Sequence, residues 1–319
     1  MGWQVRSSGN KYGSCSGHAF LIGALSQKII DSVVYAKKCA TCTRHESQTG
    51  SIAGVKDHKC IKNYDGSSKS MEAAALVTML QRMLEEKCVS ICCIISDDNS
   101  CGRARARHRT NGGQLTENVE EPTFLVDPSH RKRVFAHAIY NLANAPVKTS
   151  AVTKGLAGHI KNCYGACVKR NRHLSAEELS QQVQNILEHI CSNHTNCDEA
   201  WCYDKKAVLL GKCFKPPKDH RINKKDAKIY LQLKQVFDQY GSPSMMAHCN
   251  HPYSTQTNEA LNNAVANVAP KTVCYSRTLS LNYRIALVIG IHIMGHVEYL
   301  RALFNVNGVT ITPIIYIYN

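Results

Sequence analysis

The stretch "HICSNHTNCDEAWC" places His189, His194, Cys197 and Cys202 at the spacing H-x4-H-x2-C-x4-C. Two imidazoles and two thiols in so short a run, directly after a helix end, suit tetrahedral coordination of a structural zinc ion. Cys191 is a spare thiol there and could substitute for one ligand. A second set comes from "CATC" and "DHKC": Cys39 and Cys42 with His58 and Cys60, a C-x2-C pair closed by H-x-C across a longer loop. Both sets are closed by protein ligands, so they would support folding rather than activate water. The blander alternative is a polar loop with coincidental cysteines, and the density of soft ligands weighs against it. A zinc hydrolase would need three ligands, an open position and a nearby Glu base, and no H-E-x-x-H occurs.

Carboxylates offer a different chemistry. "CVSICCIISDDNS" is apolar for most of its length and then stops at Asp97 and Asp98. On a helical wheel of about 100° per residue, "STQTNEALNNAVANVAPK" sets Gln256, Glu259, Asn262 and Asn263 opposite Leu261, Ala264, Val265 and Val268. A solvated face is the commoner fate of such residues. The sharper reading aims Glu259 into a polar groove beside Asp97, where carboxylates would hold Mg²⁺ through oxygen ligands. A site of that kind activates water or a 3′-hydroxyl for in-line attack on a phosphodiester. Periodicity leaves both readings open. "DPSH", Asp127 to His130, stands before "RKR" and reads, on its own, as a turn ahead of a basic helix. "GSSK" at Gly66 lacks the spacing of a phosphate loop.

The elements that must position these residues alternate between strand and helix. "GHAFLIG" and "KIIDSVVYAKKC" predict two strands joined by a tight turn at Ser26 and Gln27, followed by a Gly/Ser/Thr-rich segment to Cys60. "GSSKSMEAAALVTMLQRMLEEK" predicts a helix, and Val89 to Ile95 a buried strand after it. Residues 102–122 are Arg-rich and read as an exposed basic segment. Ser175 and Glu178 form a capping-box pattern ahead of Leu179, Val183, Ile186, Leu187 and Ile190, which share one helical face. "KPPKDHRINKK" is a basic, proline-broken linker before a helical pattern from Ala227 to Tyr240, and Pro270 ends the helix predicted over "STQTNEALNNAVANVAPK". The alternation points to an α/β fold.

The 319 residues can bury a sizeable core, and the net charge of +15 favours polyanionic partners, nucleic acid first. Sixteen cysteines without an apolar leader in "MGWQVRSSGNKYG" fit thiols in a reducing compartment, some as metal ligands and others, such as Cys92 and Cys93, as small buried hydrophobes. "IALVIGIHIMG" is too short for a membrane span and predicts a core helix or strand.

In this order, "MGWQVRSSGNKYGSCSGHAFLIG", "KKCATC…HKC.KNYDGSSKSME", "IISDDNS", "DPSH", "H….H..C….WC", "STQTNEALNNAVANVAPK" and "LSLNYRIALVI" resemble the Mutator-like family of DNA transposases, over residues 1–299. The resemblance implies a ribonuclease-H-like mixed sheet flanked by helices, with a helical zinc-binding insertion. It implies a core over 1–145 with a zinc loop at 39–60, the insertion over 146–245, a C-terminal core helix over 246–300, and an unassigned tail over 301–319. It assigns Asp97 as the second triad carboxylate, with Asp98 the fallback, and Glu259 as the third. Asp127 and His130 match an Asp-x-x-His element that positions substrate near the metals. Mg²⁺ or Mn²⁺ at the carboxylates, structural Zn²⁺, double-stranded DNA at transposon ends and target sites, a homo-oligomer, a nuclear location and no membrane follow from it. The family's first triad Asp stands immediately before the "MGWQ" motif, so it is not within this sequence; Asp31 is the nearest alternative, on a different strand and expected at the surface, and the family's extra acid is Asn99 here. The resemblance therefore implies either a DDE-type strand transferase, truncated at its N-terminus, or a catalytically inactive, transposon-derived zinc- and DNA-binding protein.

Overall fold

Side chains alternate across the N-terminal strands and give each face its own helical cover. A computed structural model of the protein describes residues 2–4, 14–97, 122–144, 152–212, 220–222, 227–273 and 275–309. These fall into two units, one built from 1–92 and 256–319, the other from 93–99 and 122–255.

In the first unit β1 (Gly2–Gln4), β2 (Ser16–Ile22) and β3 (Ile29–Ala36) form an antiparallel sheet in that order. Gln27 takes a left-handed backbone (φ 56°) in the turn between β2 and β3, where the sequence places it. Ala19 and Tyr35 pack against Met71, Ala75 and Met79 of the helix Met71–Lys87. Phe20, on the opposite face, packs against Leu261 and Val265 of the helix Gln256–Val268 and against Leu281, Ile285 and Val288 of the helix Ser280–Met294. The apolar stripe of "STQTNEALNNAVANVAPK" is thus a core face. A short helix, α1 (Ala40–Thr49), interrupts the segment that reads from sequence as Gly/Ser/Thr-rich; Met71–Lys87 is α2.

His18 lies on the Phe20 side of β2 at 2% exposure. Burial opposes its charged form and pulls its pKa down to about 4, from 6.5. The unfolded chain therefore binds more protons between these values, and the stability His18 contributes is complete above about 6.5 and lost as pH falls toward 4. Between pH 7 and 5 the loss is on the order of 2 kcal/mol. Urea unfolding at the two pH values should show it, and His18→Gln should remove that share of the pH dependence.

In the second unit β4 (Cys93–Ser96) and β5 (Thr123–Val126) pair in parallel. The strand expected over 89–95 is shorter than the sequence suggests. Cys88 closes α2 in a left-handed conformation, and Val89 is 49% exposed. Cys92 is exposed and Cys93 half-buried, which corrects their assignment as buried hydrophobes: only Ile94, inside the ladder, is covered. The rest of the unit is helical: α3 (Pro128–Ala143), α4 (Lys154–Arg170), α5 (Ala176–Ile190), α6 (Tyr203–Leu209), α7 (Ala227–Tyr240) and α8 (Pro243–Cys249). Phe135 of α3 stacks on Tyr164 of α4 at 4.1 Å and meets Phe237 of α7 edge-on at 5.3 Å, at the centre of one apolar core. The helices that complete the first unit are α9 (Gln256–Val268), α10 (Ser280–Met294) and α11 (His296–Val306). The fold is α/β, mostly helical with small sheets. Among the described residues no single helix is long and apolar enough to cross a membrane.

Candidate metal centres

The first Cys/His set assembles where β3 hands over to α1. Cys39 is the residue before α1, Cys42 lies in its first turn, and His58 and Cys60 come back from the loop that follows. His58 Nε2 is 3.4 Å from the sulfurs of Cys39 and Cys42, and Cys42 Sγ is 3.7 Å from Cys60 Sγ. Ligand bonds of about 2.0–2.3 Å in a tetrahedron give ligand–ligand edges of roughly 3.3–3.8 Å, so the spacing suits one zinc-sized cation. His58 Nδ1 bonds the Lys56 carbonyl at 2.8 Å. A carbonyl only accepts, so the proton sits on Nδ1 and the Nε2 lone pair faces the sulfurs. Burial disfavours the Cys39 thiolate, but the amides of Cys42, Ile61 and Thr41 and the His58 ring outweigh it and bring the thiol down to about 6. Asn63 ties the far end of the loop to β3, accepting from Ala36 N at 2.7 Å and donating to Val34 O at 2.9 Å.

α1 itself buries none of its residues. With no apolar face to dock, its position depends on the ligands at its base. Cys42→Ser is therefore expected to open this loop locally. Tryptic cutting at Arg44, Lys56 and Lys59 should rise roughly tenfold or more, while the core around Phe135 keeps its melting point. Time-resolved proteolysis with mass analysis checks it.

The second set is built on α5. Ser175 accepts from Glu178 N at 3.2 Å while the Glu178 carboxylate accepts from Ser175 N at 2.8 Å, the reciprocal cap expected from sequence. The apolar stripe of α5 is buried, and the same face carries His189 inward at 6% exposure. The loop then folds back, with Ser192 in a left-handed conformation, and brings His194, Cys197 and Cys202 to that ring. His189 Nδ1 lies 3.0 Å from His194 Nδ1, 3.7 Å from Cys197 Sγ and 3.5 Å from Cys202 Sγ; Cys202 Sγ is 3.7 Å from His194 Nδ1. Cys191, the alternative ligand of the sequence, ends α5 and is not one of this group. Trp201, 2% exposed, packs edge-on to His189 at 5.3 Å. Behind His194, Nε2 faces the Asp204 carboxylate at 3.6 Å, and Asp204 pairs with Arg221 at 3.2 Å. A carboxylate behind a ligating histidine orients the ring and raises its basicity. The Cys197 thiol beside Cys202, aided by His189, favours the Cys202 thiolate and drops that group well below the ordinary thiol range, with Cys197 pushed up in return. Two imidazole nitrogens and two sulfurs converging at one point are a donor set for a metal such as zinc.

A third group escaped the sequence reading. His159 and Cys163, one helical turn apart on α4, approach His189 from the side opposite its loop partners, and the ligand atoms of all three lie within 4.8 Å of one another. The signal available was H-x3-C inside "GLAGHIKNCYGAC", a spacing that puts both side chains on one helix face.

The carboxylates are placed less symmetrically. Asp97 follows β4 with its side chain 55% exposed, and its Oδ1 lies 3.3 Å from His130 Nδ1. Asp127 is 2% exposed and caps α3: Oδ1 accepts from Ser129 N at 2.6 Å, while Oδ2 accepts from both the amide and the hydroxyl of Thr255 at 2.7 Å. Burial would raise its pKa, but these donors, Thr255 first, hold it below the usual carboxylate range. Within "DPSH", then, the histidine meets Asp97 and the aspartate holds the chain together. Glu259 is exposed in the first turn of α9, in the first unit, whereas Asp97 belongs to the second. Asp31 is not a free surface acid: it is half-buried on β3, 3.3 Å from Arg82. Asp98, Asn99 and the Arg-rich run lie outside the described residues, apart from Pro122 at its end.

A family model described as Mutator-like transposase matches residues 1–202. No curated protein matches the chain, and no solved structure does.

Proposed function

The chain belongs to the Mutator-like transposase family, and from that premise we propose that it handles DNA in metal-dependent strand cleavage and transfer at transposon ends. The observation that carries the reading is the Asp97–His130 pair, an exposed carboxylate at the end of a parallel strand with an imidazole 3.3 Å away. Asp97 and Glu259 are the proposed carboxylates for Mg²⁺ or Mn²⁺, with Asp98 in reserve. Bound there, such a cation lowers the pKa of an attacking water or 3′-hydroxyl and neutralises phosphate charge. His130 keeps Asp97 oriented, and Asp127 keeps the start of α3, and so His130, in place. A ribonuclease-H-like mixed sheet is the proposed form of the core. Zn²⁺ is the proposed occupant of both four-ligand sets, with a role in shaping the DNA-binding surface. The nucleus is the proposed location, and a homo-oligomer the proposed form that holds both element ends.

A second reading, DNA binding without catalysis, is favoured by the charge of +15 alone. Incubation with terminal-repeat DNA in Mg²⁺ or Mn²⁺ separates the two, using this chain and a form extended upstream through the strand the family places before "MGWQ". Nicking or strand transfer supports the first reading. Binding that weakens steeply with salt, is indifferent to Asp97→Ala or Glu259→Ala, and is never followed by cutting supports the second.

A further inference from the structure

His189 presents both ring nitrogens to ligand groups. Nδ1 faces His194, Cys197 and Cys202, as described. Nε2 lies 3.3 Å from Nε2 of His159, and that same His159 nitrogen is 3.5 Å from Cys163 Sγ. His189 and Cys163 are buried and His159 half-buried, so the three converge away from bulk water. The His220 ring stacks on His159 at 4.4 Å with its plane tilted by 13°, which fixes the plane of the His159 imidazole.

We infer that His159, Cys163 and His189 form a second cation site, for a thiophilic divalent metal, sharing His189 with the four-ligand set as a bridging imidazolate. The inference rests on the reading of that set as a metal site. The competing account is a hydrogen bond from His189 Nε2–H that merely orients the ligand ring, a common arrangement behind metal-bound histidines. That account leaves Cys163 only its place in the apolar core. His159 Nε2 has one position in the ring plane, a single lone pair or a single proton, and it cannot serve His189 and the Cys163 thiol together. A cation satisfies both at once, because separations of 3.3 and 3.5 Å are the N–N and N–S edges of a tetrahedral site at ordinary zinc bond lengths.

Charge balances as well. Binding one M²⁺ takes the Nε2 proton of His189 and the thiol proton of Cys163 and releases both to solvent; M²⁺, imidazolate and thiolate then sum to zero. A neutral assembly is what a mostly buried pocket tolerates. Three protein ligands leave a fourth position for water or a small anion, so this site is open where the two four-ligand sets are closed.

The test is a count on the full chain. Protein stripped of metal under reducing conditions is titrated with Zn²⁺ and followed by native mass spectrometry, and in parallel with Co²⁺, followed by absorption and electron paramagnetic resonance. Three equivalents are expected, falling to two in Cys163→Ser and in His159→Gln, with tryptophan fluorescence unchanged as the check on folding. In the cobalt protein the bridge should couple two of the three ions, so that the integrated resonance falls short of the cobalt bound and recovers in Cys163→Ser. Two equivalents in the unmodified chain, unaltered by Cys163→Ser or His159→Gln but reduced by Cys202→Ser, overturn the shared site and leave the four-ligand set standing. A count that Cys202→Ser does not lower removes the four-ligand reading and the inference with it.

Discussion

Cys202→Ser is expected to lower the melting temperature of the helical unit by roughly 10 °C or more and to shift tryptophan emission to the red as Trp201 is exposed, with loss of one zinc equivalent. The size follows from what the cation is asked to hold. From Cys191 to Cys202 the chain forms no helix or strand, and of these residues only Cys197, Trp201 and Cys202 are buried. A structural zinc site of this kind contributes about 10–16 kcal/mol of apparent binding energy at neutral pH, more than enough to order such a loop. Serine isolates this effect. Cys202 also caps α6, its sulfur accepting from Lys205 N at 3.4 Å, and a serine hydroxyl caps at least as well. Any loss of stability therefore reports the missing thiolate and not the cap. Cys191→Ser is the comparison within the same loop, since Cys191 lies outside the ligand group, and it should keep the full zinc content. Identical behaviour of the two variants would remove the metal from the explanation. Acid acts in the same direction: protonation of ligand thiolates and imidazoles competes with the cation, so affinity falls as pH is lowered.

The second large effect concerns Asp97 and Glu259. Alanine at either is expected, on the proposed reading, to reduce DNA cleavage and strand transfer at least ~10³-fold while leaving binding within about a factor of two, because it would remove a cation ligand without touching phosphate contacts. Asp97→Asn should be as damaging as alanine, since it keeps the shape and discards the charge. Asp127 supplies the contrast. Both its oxygens are occupied by Ser129 and Thr255, so Asp127→Ala strips the cap of α3 and leaves two donors of Thr255 unmatched. Its expected signature is a stability loss of about 2–4 kcal/mol, with activity falling only as far as folding does. Chemical denaturation alongside the cleavage assay tells the two aspartates apart. If Asp97→Ala cut DNA as well as the parent, the assignment of the strand-end carboxylate would be wrong.

Local pattern carried the sequence reading further in some places than others. The capping box at Ser175 and the stripe of α5 were legible because a helix cap and a 3.6-residue period are contained within one element. α4 escaped notice because Gly155, Gly158 and Gly165 interrupt its sequence. The last of these has a packing reason that only the neighbour reveals: a Cβ on Gly165 would come within 2.6 Å of Lys132 Cε, whose stem from α3 lies across it. α1 escaped for the opposite reason, since it buries nothing and so has no periodic apolar face to detect.

Ligand type and ligand spacing were therefore settled by the amino-acid order alone. Residues from Cys39 to Cys60 and from His189 to Cys202 are joined by chain short enough that soft donors of matching chemistry must lie near one another once the loop closes. What no reading of order could supply is the second neighbour of each group. His159 meets His189 thirty positions away, and Asp127 meets Thr255 across 128. Those distances are set by how α4 packs on α5 and by where the chain returns after α8, through burial of side chains from many separate segments. Chain connectivity limits short-range geometry; packing decides the rest.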